Sequence, residues 1–247
     1  MNIQSRYRLW ILGAVALLAP ITGLIIWRFV RMITSDDPKI WAKQIDASKK
    51  QDQQHQPPEN VIVFTGSSSI RFWKTLEQDM APLPVINRGF GGAKIKQVTY
   101  YADQIVIPYH PGAIVLFAGT NDLGRFKPKT AKEVFEGYVE FVETMRASLP
   151  QTPIYYIAIT PTPSRWKTWP TVQEANQLIK AYTETDHQLH FIDMTNQYLG
   201  SDGRPKRDLY IWDRLHPSAK GYALWTSIIK PRLEADLFQH QESTLQN

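Results

Sequence analysis

The chain has 247 residues, 43% of them hydrophobic, and a formal charge of +5, enough for one sizeable α/β domain with an appendage. It contains no cysteine, which excludes disulfides, thiol nucleophiles and thiolate metal sites. The basic residues are scattered and build no nucleic-acid motif, so a nucleic-acid partner is not expected.

Residues 9–27, LWILGAVALLAPITGLIIW, carry no charge and lie between Arg6 and Arg8 on one side and Arg28 and Arg31 on the other. As a helix rising about 1.5 Å per residue, the run covers about 28 Å, close to the roughly 30 Å of a hydrocarbon core. Trp10 and Trp27 stand at its ends, and Pro20 and Gly23 are tolerated in a membrane helix. The run is longer than the roughly 7–15 apolar residues of a signal peptide and no A-x-A site follows it, which predicts one uncleaved transmembrane helix within residues 1–35. Basic residues flank both ends, so the positive-inside rule selects neither orientation. By analogy with other amino-terminal anchors, the large domain is expected outside the cytoplasm.

Residues 36–60 read as a polar juxtamembrane helix and linker. Pro38 followed by Ile40, Trp41 and Ile45 predicts a short amphipathic helix, and the glutamine-rich run up to Pro57 and Pro58 reads as a loop.

The main domain is expected over residues 61–238, with a polar tail at 239–247. Its β-rich runs are 61–64, 85–87, 113–118, 154–159 and 189–193, and helix-period segments alternate with them. Glu133, Phe135, Tyr138, Val139 and Val142 keep helical spacing, as do Ala175, Leu178, Ile179 and Tyr182. Such alternation predicts an α/β fold, a parallel sheet covered on both faces. Residues 219–237 predict a last helix interrupted at Pro231.

Four strand ends carry candidate chemistry, because loops leaving the carboxyl ends of a doubly wound sheet share one rim. The first run leads through Gly66 into Ser67, Ser68 and Ser69 and then Ile70, Phe72 and Trp73: a strand, a tight turn and a helix start. A serine there meets unpaired N–H groups and partial positive charge, although Gly-Ser clusters are also ordinary turn formers. The second run ends in Asn87, Arg88, Gly89, Phe90, Gly91 and Gly92, whose backbone can come close to a ligand or simply make a turn. The third ends in Gly119, Thr120, Asn121 and Asp122, where an uncharged amide can donate to an oxyanion or serve as turn chemistry. Near the carboxyl end, Asp213, Arg214, Leu215, His216 and Pro217 offer a base and a carboxylate from one loop, or a helix entry. The loop from Thr160 to Pro170, with Arg165, Trp166 and Trp169, is expected to border the same rim. His187 and His190 fit no metal-ligand spacing, so no metal site is expected.

Together these four blocks, GSSS at 66–69, NRGFGG at 87–92, GTND at 119–122 and DRLHP at 213–217, resemble the SGNH hydrolases, the GDSL-type lipase and acylhydrolase family, over residues 38–237. The resemblance implies a three-layer, flavodoxin-like sandwich around a five-stranded parallel sheet. It places the nucleophile at Ser68, the base at His216 and the orienting acid at Asp213. The implied oxyanion hole is the N–H of Ser68, the N–H of Gly92 and the amide of Asn121. The implied activity is carboxylic ester hydrolysis through an acyl-serine, with no cofactor. The expected substrate is a small acyl ester, a lipid or an acetylated glycan. An O-acyltransferase acting on a sugar hydroxyl and a silent membrane-tethered binding module are the alternatives. Ser67 stands where the family signature has an acidic residue, and Ala93 where many relatives have an aspartate.

Overall fold

The computed structural model describes residues 34–124 and 128–245 together with positions 20, 22–24, 27, 30 and 31, and side chains as far as Asp236. The chain divides into two units, residues 1–36 and 37–247. The described positions of the first unit up to Thr34 are helical. Among the described residues no helix is long and apolar enough to cross a membrane. The expected span at 9–27 lies largely outside the described residues.

The second unit is built on five strands: β1 (Ile62–Gly66), β2 (Val85–Gly89), β3 (Ala113–Phe117), β4 (Ile154–Ile157) and β5 (Leu189–Ile192). All pairings are parallel and the order is β2-β1-β3-β4-β5. Parallel strands covered on both faces read as unbroken apolar runs, and β1, β3 and β4 are buried at every position. The expected parallel sheet is therefore present, with strand ends within one or two residues of those read from the sequence.

Alternate residues feed opposite faces. Ile62, Phe64, Val115, Phe117, Tyr155 and Ile157 join one core with Trp225, Ile229 and Leu233 of α8 (Ala219–Leu245). On the other face, Tyr156 of β4 meets Tyr138 of α6 (Ala131–Ser148), ring centroids 4.9 Å apart. Helix α6 starts at a capping box in which Thr130 and Glu133 exchange hydrogen bonds, satisfying donors that every helix start leaves open. Among the described residues of this unit the other α-helices are α1 (Ala42–Gln54), α2 (Ser68–Arg71), α3 (Leu76–Met80), α4 (Ile95–Tyr100), α5 (Ala102–Ile105) and α7 (Trp169–Thr183).

Two elements depart from the sequence reading. Helix α1 continues through the glutamine run to Gln54 instead of giving way to a loop. Trp41 and Ile45 are buried near its start, and Asp52 near its end pairs with Arg88 and accepts from the Tyr109 hydroxyl at 2.5 Å. These tertiary contacts offset the weak apolar patterning of the run. The last helix is not interrupted at Pro231 but continues to Leu245. Ile229 and Leu233, on either side of the proline, are both fully buried, so packing holds the helix across the missing donor.

The strand order fixes where a site can form. From β1 the chain goes outward to β2 and then returns across β1 to β3, so the loops after β1 and β3 part in opposite directions. Such a switch point opens a crevice at the carboxyl ends of those strands.

Candidate active site

Gly66 ends β1 with φ of 128°, and a Cβ on it would lie 2.1 Å from the Phe117 carbonyl oxygen. Only glycine permits both the conformation and the approach. The chain turns there, Ser67 N donates to Phe117 O at 2.9 Å, and Ser68 becomes the first residue of α2. Ser67 and Ser69 are buried, whereas Ser68 is only half-buried.

The Ser68 hydroxyl lies 2.7 Å from His216 Nε2. On the far side of the ring, His216 Nδ1 is 2.5 Å from Asp213 Oδ2. Asp213 uses its other oxygen, Oδ1, to accept the N–H groups of Leu215 at 2.9 Å and His216 at 3.0 Å. Burial works to raise the Asp213 pKa, but the hydrogen bonds from the imidazole and the two backbone groups outweigh it, and the carboxyl sits below its ordinary range. The loop is closed by an antiparallel bridge between Tyr210 and Pro217 and by Ile211 N donating to His216 O at 3.0 Å. Arg214 makes its turn at φ of 59°. Phe72 packs edge-on against the imidazole at 4.8 Å. Tyr222 of α8 donates to Ser69 O at 2.8 Å, tying the closing helix to the serine turn.

The glycine loop after β2 is fastened to the serine turn. Phe90 N donates to Gly66 O at 3.0 Å, and Asn87 bridges the two elements, giving Nδ2 to Ile70 O at 2.6 Å and accepting Gly89 N on Oδ1 at 3.0 Å. Gly92 has φ of 68°, and the Trp41 ring fills the space where its Cβ would point, 3.0 Å away. Asn121, after β3, donates from Nδ2 to Ala93 O at 3.2 Å, which links the third station to the second. Its neighbour Asp122 is buried and accepts from Ile95 N at 3.1 Å and from Lys129 Nζ at 2.8 Å. Burial raises the Asp122 pKa against the pull of Lys129.

The four stations read from the sequence are thus linked to one another at one rim. Ser68, His216 and Asp213 form a continuous hydrogen-bonded chain, and Asn121 is bound to the glycine loop that carries Gly92, through the Ala93 carbonyl. A hydroxyl whose proton an imidazole can accept, with the imidazole oriented by a carboxylate, is an arrangement suited to nucleophilic attack. Sequence reasoning missed Trp41 and Gln44, whose Oε1 accepts the Gly91 N–H at 3.1 Å, as supports, and named Asn87 only as part of the glycine block. No spacing rule marks a residue whose partner is far along the chain.

The sequence model of the GDSL-like Lipase/Acylhydrolase family matches residues 63–224, a span that contains every station of the site. Platelet-activating factor acetylhydrolase IB subunit alpha1 of Pongo abelii is 28% identical over 185 residues, which cover 70% of this chain and 74% of that protein. Among solved structures, a GDSL-like lipase of Bacteroides thetaiotaomicron superposes with a TM-score of 0.64 at 21% identity, covering 78% of this chain and 98% of its own. A carbohydrate esterase family 3 structure from Talaromyces cellulolyticus does so with a TM-score of 0.53 at 17% identity, covering 72% and 98%.

Proposed function

Since the chain belongs to the GDSL-like lipase/acylhydrolase family and is a hydrolase, we propose that it is a serine esterase that cleaves carboxylic esters through an acyl-serine intermediate. The observation that carries this reading is the unbroken relay of Ser68 Oγ, His216 and Asp213, at 2.7 and 2.5 Å.

His216 Nε2 takes the Ser68 proton as Oγ attacks the ester carbonyl, and Asp213 holds the ring in the tautomer that leaves Nε2 free to accept. The carbonyl oxygen becomes an oxyanion, received by the N–H groups of Ser68 and Gly92 and by the Asn121 amide. Each such donor is worth on the order of 3 kcal/mol in comparable sites. The protonated imidazole then gives its proton to the departing alcohol. Water, deprotonated by the same nitrogen, attacks the acyl carbon and frees Ser68. Every step uses side chains and backbone of this chain.

The names of the relatives, an acetylhydrolase and a carbohydrate esterase, favour a short acyl group, acetyl first, on a lipid or a glycan. The apolar run at 9–27 is our proposed membrane anchor, with the hydrolase unit outside the cytoplasm. An alkaline phosphatase fusion after Asn247 is expected to be active, and an inactive one reverses the orientation.

The activity reading is tested with a fluorophosphonate probe and an acetyl aryl ester. The probe is expected to label Ser68 by peptide mapping, and Ser68→Ala and His216→Ala are each expected to lose nearly all turnover while keeping the unfolding temperature. Undiminished hydrolysis by purified Ser68→Ala protein would eliminate the assignment.

A further inference from the structure

The loop after β4 sends one cation into the site that the reaction just described does not use. Arg165 lies in the turn Pro163–Thr168, which leads into α7. Its Nη1 donates to the Thr120 carbonyl oxygen, and its Nη2 donates to Asn121 Oδ1 at 3.1 Å. No carboxylate among the described residues pairs with it. Burial alone pushes its pKa down to about 10, so it is still a cation at neutral pH.

We propose that Arg165 is a positioning residue for the oxyanion hole, clamping the Asn121 amide with its nitrogen turned to the reacting carbonyl. This inference rests on Asn121 acting as an oxyanion donor. An amide can flip, exchanging oxygen for nitrogen, and the two faces have opposite chemistry. A guanidinium can only donate and a carbonyl can only accept, so Arg165 on one side and Ala93 O on the other permit one orientation. One Nδ2 hydrogen is taken by Ala93 O, which leaves the second for a developing oxyanion. Charge-assisted donation to Oδ1 also polarises the amide, making that second hydrogen a stronger donor. The planar fork suits the task, because it grips the backbone and the side chain of successive residues at once.

The same turn is fastened to the base loop. Ser164 N donates to Arg214 O at 3.1 Å, and Thr168 Oγ1 caps the Arg165 carbonyl at 2.9 Å. The turn that carries Arg165 therefore ties the oxyanion station to the loop of Asp213 and His216, which lie far apart in the chain.

The experiment is a double-mutant comparison on an acetyl aryl ester, measuring kcat and KM for Asn121→Ala, Arg165→Met, Arg165→Lys and Arg165→Met/Asn121→Ala. Asn121→Ala is expected to lower kcat by about a hundredfold. Arg165→Met is expected to lower it about tenfold or more, with KM within about twofold, and Arg165→Lys to recover little, since a point charge cannot hold both acceptors. With Asn121 already gone, Arg165→Met is expected to change kcat by less than about twofold. Equal losses from Arg165→Met in both backgrounds, or an unchanged kcat in the otherwise native protein, overturn the inference and leave the reading of Asn121 standing. An Asn121→Ala variant with native kcat overturns both. Unfolding temperatures identify a variant that fails to fold, in which case Arg165→Lys, alone and combined with Asn121→Ala, carries the same comparison.

Discussion

The side chain of Gln44 accepts the N–H of Gly91 on Oε1 at 3.1 Å, so a residue of α1 holds the loop that carries the Gly92 N–H. Trp41 buttresses the same loop from below, its indole anchored to Gln97 at 2.9 Å. Gly91 is buried, and Gln44 supplies the acceptor for its N–H. Gln44→Ala is expected to lower kcat roughly fivefold, the equivalent of about 1 kcal/mol, with little change in KM. Steady-state kinetics on an acetyl aryl ester checks it, and a native kcat means that α1 does not support the site.

Gly66 is the position least able to change. A side chain there meets the Phe117 carbonyl at 2.1 Å in a conformation that L residues avoid. Gly66→Ala is expected to cost at least about 2 kcal/mol and to remove activity, since relief of the clash displaces Ser68. Urea unfolding measures the first effect and probe labelling the second.

The lowered pKa of Asp213 makes a statement about acid. A carboxyl whose folded pKa lies below its unfolded value of about 3.9 contributes stability that is fully present above that value and is lost as pH falls through the folded pKa. Asp213→Asn has no such group. The stability difference between native protein and Asp213→Asn is therefore expected to grow as pH rises from about 2 to about 5 and then to level off. Urea midpoints across that range read it directly, and a difference independent of pH contradicts it.

Ser67 separates support from chemistry. It is buried, its N–H is taken by β3, and its side chain makes no cap bond. Ser67→Ala is expected to keep kcat within about threefold, in contrast to Ser68→Ala. Comparable losses in both variants would mean that the serine turn shares its role between the two positions.

The sheet was legible because its central strands β1, β3 and β4 are short, mostly apolar runs that need no partner to be recognised, and β2 and β5 carry shorter apolar pieces of the same kind. The four stations were legible for a related reason: each is a local string at a strand end. The supports were not. Gln44 and Gly91 are separated by 47 positions, Arg165 and Asn121 by 44, and nothing in either neighbourhood signals the other. The lengths of α1 and α8 were misread for the same cause, since burial of Trp41 and Ile45 in one and of Ile229 and Leu233 in the other overrides weak local patterning. Choosing Ser68 among three serines rested on family spacing, and its 2.7 Å contact with His216 gives that choice a geometric basis.

Asp213 and His216 orient each other within four residues, using a carboxylate that grips both the ring and the backbone beside it. The proposed base and its guide thus form a prefabricated cassette, its geometry set within one short loop. The vulnerability moves to the seam, where a sideways slip of the whole cassette by one atom's width would leave the pair intact and the hydroxyl out of reach.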